Sequence, residues 1–306
     1  FTERRIEYKQ KAKETGDRHY SDLDQMAKVT VNSLYGTLGA PGINFNFPEG
    51  AAQITRKGRE ILTSAMEWAR LNDFPLVNAD TDSIMVADTD EEDRALILRS
   101  LNALTPLVRW EDDGFYDSVC VVRAKNYSMC RGEKIKIKGS ALRTSAKEKA
   151  LTEFMGRVLR SIHGLEPNAP HELYTQYVRE IIAPLDITRW SARHTVTAAV
   201  MDPRRMGPRR TTEQKKLDAI QGANLQMGDK FWAYFRADGS LGMAEKWRND
   251  HDPIRLLKKL HDTVKIFAPV LDVSQFPNYS LKRNLPKVQT FAQNLTSVTA
   301  NDSIKA

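Results

Sequence analysis

The sequence predicts an α+β chain in which a small antiparallel sheet is packed by helices, an αα-hairpin comes before the sheet and a mainly helical region follows it. Three observations predict it. Helical patterns fill residues 1–14, 21–38 and 48–71 before any strand pattern appears. Two short apolar runs then flank Asn78-Ala79-Asp80-Thr81-Asp82-Ser83, a β-hairpin signature with turn formers at its corner. Three more short strands follow at 116–123, 126–130 and 134–138, and from about Ser140 the pattern turns to helix and loop.

The first helix carries Ile6, Gln10 and Lys13 on one side and Arg5, Lys9 and Ala12 on another, and Gly16-Asp17 ends it. Arg5 and Lys9 stand four apart and face the same way, which weakens a helix unless an anion lies over them; a solvated basic face is the other reading. The second helix opens near Ser21, with Asp24 three residues on as a capping pair, and ends at Gly36 and Gly39. It sets Lys28, Asn32 and Tyr35 on one stripe beside an apolar stripe of Ala27, Val31, Leu34 and Leu38. The short Gly16 to Tyr20 connection makes the two an αα-hairpin. Tyr35 reads equally as a core aromatic or as a binding residue.

Pro48 and Glu49 open a third helix running to about Leu71, with a broad apolar face from Ala52 and Ile54 to Ala65 and Ala69. Gly58 lowers its propensity, so close packing at that point is expected. After the hairpin comes an amphipathic helix, Glu91 to about Leu104, then the three strands, the last two joined by Arg131-Gly132-Glu133. Helices are expected at 145–163, closed by Gly164, and at 169–182. A strand is expected from Gly228 to Phe235, and a polar tail after Val288.

With 41% apolar and 28% charged residues the composition is that of an ordinary globular protein. Forty-six Lys and Arg against 39 Asp and Glu leave a formal charge of +7, which favours polyanionic partners. No apolar run is long enough to span a bilayer and no signal-like start is present, so the expected location is the cytoplasm, without a membrane partner. Cys120 and Cys130 are too few and too widely spaced for a zinc site and read as reduced buried thiols. Basic residues gather at Lys136, Lys138, Arg143, Lys147 and Lys149. They gather again at Arg204, Arg205, Arg209, Arg210, Lys215 and Lys216, where solvated loop charge and phosphate-backbone binding are both open.

The chemistry centres on Asp80 and Asp82. Two carboxylates two positions apart repel unless a cation lies between them, and a hard divalent ion with oxygen ligands suits the pair. A solvated turn is the alternative.

Lys28-Val29-Thr30-Val31-Asn32-Ser33-Leu34-Tyr35-Gly36 followed by Asp80-Thr81-Asp82-Ser83 resembles two signature motifs of the family B DNA polymerases, in order and at a matching separation. The resemblance implies a fingers element at 1–40, the C-terminal part of the palm at 41–140, a thumb at 141–288 and a tail at 289–306. It implies template-directed transfer of a nucleotidyl group from a dNTP to a primer 3′-hydroxyl, with two Mg²⁺ ions, or Mn²⁺ in their place. Arg5, Lys9 and Lys28 would bind the triphosphate. Asn32 would lie beside it and Tyr35 against the nascent base pair. Asp82 would be the bridging metal ligand and Asp80 the second. Lys125-Asn126-Tyr127 resembles the family's Lys-x-Tyr element and implies contact with the primer-template DNA, to which Lys138 and Arg143 would add.

Three departures stand out. Asn78-Ala79 replaces the family's common Tyr-Gly, and Ala124 stands where a lysine often precedes Lys-x-Tyr. The family's other metal-bridging Asp, in Asp-x-x-Ser-Leu-Tyr-Pro, is not among these residues, nor is an exonuclease domain. The chain also starts at Phe1, already in a helical pattern. The expectation is therefore the C-terminal part of a polymerase, from a phage or a split enzyme, working in the cytoplasm (the bacterial host's, if a phage encodes it). An upstream segment or a partner chain would supply the missing Asp and an exonuclease domain. The rival expectation is a non-catalytic DNA-binding or processivity module derived from a polymerase.

Overall fold

The computed structural model describes residues 2–44, 46–87, 89–143, 147–182, 186–201 and 212–281. The Arg204 to Arg210 cluster and the polar tail lie outside them. The chain divides into two compact units, Phe1–Asp113 and Gly114–Ala306. That division falls inside the segment 41–140 that the sequence assigns to one domain.

In the first unit α1 (Thr2–Thr15) and α2 (Arg18–Gly39) form the expected hairpin. Arg5 meets Asp24, and Lys11 lies over the Tyr20 ring, so contacts step outward on both sides of Gly16-Asp17 and the helices run antiparallel. Gly16 sits at φ +67, the left-handed position that ends a helix. The cap differs from expectation. Asp17, not Ser21, is the N-cap, accepting from the His19 N–H at 2.9 Å, so α2 starts three residues earlier and Asp24 is free to pair with Arg5.

Helix α3 (Pro48–Leu71) buries Ala65 and Ala69, but residues 52–60 are exposed throughout. The close packing expected at Gly58 is absent; nothing lies within 4 Å of where a Cβ would stand. The apolar pattern of α3 is used at its first turn, where Gly50 and Ala51 are buried, and again in its second half. There it packs on the hairpin of β1 (Leu76–Asp80) and β2 (Ser83–Val86) and on α4 (Glu91–Leu104). Ala65, Ile97 and Leu101 form this small core with Trp68, Phe74, Ile84, Val86 and Trp110 around them. Asp90 and Asp93 cap α4 reciprocally.

The second unit opens with β3 (Ser118–Arg123), β4 (Asn126–Arg131) and β5 (Lys134–Lys138), antiparallel in the order β3-β4-β5. β5 alternates exposed lysines with half-buried Ile135 and Ile137, the period of a strand with one wet face. A short α5 (Ser140–Arg143) follows. The main core is built by α6 (Lys149–Ile162), α7 (Pro170–Ile182) and α10 (Pro253–Lys265) around Phe154, Tyr174, Tyr177, Trp190 and Leu257. This region is less purely helical than expected. A second antiparallel sheet, β6 (Ala192–Thr195), β7 (Lys230–Phe235) and β8 (Leu241–Met243), packs on α8 (Ala198–Met201) and α9 (Thr212–Ile220). Small antiparallel sheets surrounded by packed helices thus make up the α+β architecture. Cys120 and Cys130 are buried free thiols on neighbouring strands.

Candidate functional site

Asp80 is the last residue of β1 and pairs with Ser83, so Thr81 and Asp82 form a two-residue hairpin loop. Thr81 has φ +52, an uncommon conformation for a β-branched residue. The Asp82 N–H bonds back to the Asp80 carbonyl, and the Thr81 hydroxyl donates to Asp80 Oδ1 at 2.9 Å. A tight turn, and not strand alternation, therefore sets the two acids. Asp80 is half-buried and Asp82 exposed. Asn78, two residues before Asp80 on the same strand, leaves its buried Nδ2 without a partner among the described residues. It stands where the sequence departs from Tyr-Gly, and an amide there needs a hydrogen-bond partner that an apolar residue would not.

Helices α1 and α2 hold the expected phosphate ligands. Arg5 Nε is 3.0 Å from Asp24 Oδ1, and Lys9 Nζ is hydrogen-bonded to Glu111, whose carboxyl it holds below its ordinary range. Lys28 is exposed and has no ion pair among the described residues. Asn32 is exposed as well, and Tyr35 is 43% exposed, so it is not a core aromatic. Helix α3 touches both α2 and the Asp80 hairpin, and so links the two halves of this set. As hard oxygen donors Asp80 and Asp82 fit part of a Mg²⁺ ligand set, which ordinarily draws on one or two carboxylates, waters and substrate phosphate. Among the described residues no group of three or more His, Cys, Asp or Glu is placed to hold a metal ion.

The residues expected at DNA form a separate set in the second unit. Tyr127 lies directly across from Lys138 on the neighbouring strand, so both project to one face of the sheet. Tyr127 is only 6% exposed, whereas Lys138, Lys125 and Arg143 are exposed. Lys125 occupies the β3–β4 turn at φ +61. Two residues that the sequence reading passed over hold that turn. Asn126 donates to the Ala124 carbonyl at 2.9 Å and accepts from the Ala141 N–H at 2.9 Å. Gly139, at φ +92, lies so close that a Cβ there would stand 2.2 Å from the Lys125 carbonyl oxygen. A glycine between the last strand lysine and a new helix was the available signal. In the second basic group Lys215 donates to the Gly239 carbonyl and Lys216 faces Glu213.

Residues 1–100, which contain both α2 and the Asp80 hairpin, match the model of the family described as DNA polymerase family B. Over those residues the chain is similar to the family B DNA polymerases. The DNA polymerase alpha catalytic subunit of Drosophila melanogaster is 33% identical over 113 residues, 35% of this chain and 8% of that protein. The corresponding catalytic subunit of Arabidopsis thaliana is 32% identical over 125 residues, 38% of this chain and 8% of that protein. The chain thus spans under a tenth of these curated relatives. Among solved structures, that of the family B DNA polymerase from the archaeon Pyrobaculum calidifontis superposes with a TM-score of 0.62 over 89% of this chain and 37% of that one, at 19% identity. This last likeness is one of fold alone. No helix among the described residues is long and apolar enough to cross a membrane.

Proposed function

We propose that this chain is the fingers, palm and thumb part of a family B DNA polymerase, which binds primer-template DNA and dNTP and contributes Asp80 and Asp82 to a Mg²⁺ site completed by a carboxylate from an upstream segment or a partner chain. The observation that carries the reading is the exposed Lys28, Asn32 and Tyr35 stripe on α2, joined through α3 to an Asp-Thr-Asp hairpin loop within the family match. Lys28 is available to a triphosphate, and Arg5 and Lys9 reach one by exchanging Asp24 and Glu111 for phosphate oxygens. Cations converging there stabilise charge on the phosphoryl group. The Tyr35 ring offers a flat face to a base. Bound Mg²⁺ would supply activation of the primer hydroxyl and charge neutralisation at the leaving pyrophosphate. Lys125, Lys138 and Arg143, with Tyr127 beneath, would carry phosphate-backbone contacts that hold DNA without reading its sequence.

The second reading is a non-catalytic DNA-binding or processivity module. The donor set favours it for these residues taken alone, since two carboxylates are fewer than a complete protein-borne metal site. Primer extension separates the two. Asp82→Asn in the polypeptide completed with its upstream segment or partner is expected to abolish extension and to leave DNA binding largely intact. Extension at the wild-type rate would remove the catalytic reading.

A further inference from the structure

We propose that the outer edge of β5 docks an extended peptide of a partner protein in which acidic and apolar residues alternate. The inference does not rest on the polymerase reading, with which it shares only Lys138. β5 lies at one edge of the β3-β4-β5 sheet, and among the described residues no backbone hydrogen bond reaches Lys134–Lys138 beyond the ladder to β4. Its outward N–H and C=O groups can pair with a further strand.

The two faces of β5 specify what that strand must carry. On one face Lys134, Lys136 and Lys138 are exposed at every second position. On the other, Ile135 and Ile137 border a cavity of about 570 Å³ whose far wall is α6. Of the three arginines lining it, Arg157 meets Glu166 at 2.9 Å, Arg189 meets Glu153 at 2.7 Å, and Arg160 donates to the Leu165 carbonyl at 3.2 Å. The cavity therefore takes apolar side chains, while the lysine face takes carboxylates. Side chains of an added strand follow the alternation of β5, which gives the acidic-apolar pattern.

Gly156 is the independent sign that the cavity is kept open. It lies inside α6, lines the cavity, and nothing stands within 4 Å of where its Cβ would be. Glycine weakens a helix interior relative to any ordinary residue. Lysines that merely guard an edge against aggregation would need no such opening, and a nucleic-acid backbone would use the lysines and leave the amide edge and the cavity unfilled.

The test is fluorescence anisotropy of the labelled peptide Glu-Val-Glu-Val-Glu-Val against the full 306-residue chain. Saturable binding is expected, weakened about tenfold or more by Gly156→Leu, by Lys134→Glu, or by the shuffled peptide Glu-Glu-Glu-Val-Val-Val. Thermal melts should show Gly156→Leu at least as stable as wild type, because its side chain enters open space. Lys134→Glu, fully on the surface, keeps the test sound if the leucine variant does not fold. The proposal is overturned by any of four results: no binding at about 1 mM peptide; equal binding of the shuffled peptide; displacement by duplex DNA, with Gly156→Leu losing DNA affinity as well; or self-association of the chain that Gly156→Leu abolishes.

Discussion

Replacing Gly139 with alanine tests how the Lys125 turn is held. At φ +92 a Cβ is disfavoured whatever surrounds it, a strain of roughly 1–3 kcal/mol. The new Cβ would also stand 2.2 Å from the Lys125 carbonyl oxygen and 2.3 Å from Asn126 Oδ1, one of them rigid backbone, so the turn must move. That movement disrupts the 2.9 Å bond from the Ala141 N–H to Asn126, adding about 1 kcal/mol. The sum is about 2–4 kcal/mol, a fall in Tm of roughly 4–16 °C for a unit of this size. Asn126→Ala, which removes the bond without the clash, should cost about 1–2 kcal/mol. Calorimetry of the variants reads both. If Lys125 touches phosphate, the slope of log affinity against log salt also falls by about one contact in Gly139→Ala. A Gly139→Ala melt within about 1 °C of wild type would refute the reasoning.

Three further outcomes follow from the geometry. Asp24→Asn and Arg5→Ala should each change stability by less than about 1 kcal/mol, because the pair is partly exposed, yet only Arg5→Ala should weaken dNTP binding; equal effects on nucleotide affinity would count against Arg5 as a ligand. His194, pushed down to about 4 by burial and then by Lys216 and Lys147, with Glu148 opposing and Lys259 reinforcing, is held neutral in the fold. Its folded value lies below the ordinary 6.5, so the unfolded chain takes up the proton first: stability is whole above pH 6.5 and declines as pH falls towards 4, and His194→Gln should flatten that part of the Tm profile. Lys28→Ala should weaken dNTP binding more than Lys9→Ala, since Lys9 is already engaged by Glu111, and isothermal titration of both variants measures the order.

Much of this architecture was legible in local pattern. The αα-hairpin, the Asp80 hairpin, α4 and the three strands that follow it come from period and turn residues, and the structure has each of them. What local pattern did not reveal depends on neighbours distant in sequence. Ser21 and Asp24 looked like a capping pair because their spacing suits one, but Asp17 is the N-cap and an arginine 19 residues away captured Asp24. Gly58 looked tightly packed because glycine in a helix usually has a reason, and it is exposed. Of the candidate site, the residue types were readable, and the pairing of Arg5 and Lys9 with carboxylates was not, since Glu111 lies 102 residues from Lys9. The hold of Asn126 and Gly139 on the Lys125 turn is likewise a matter of three-dimensional closeness.

The measurement that bears most directly on the central claim is the Mg²⁺-dependent affinity of this chain, bound to primer-template DNA, for the complementary dNTP. The account predicts salt-sensitive DNA binding together with a nucleotide affinity that Lys28→Ala or Asp82→Asn lowers about tenfold or more. DNA binding with a nucleotide response unchanged by either substitution would contradict it and leave a DNA-binding module that keeps the shape of a polymerase without its chemistry.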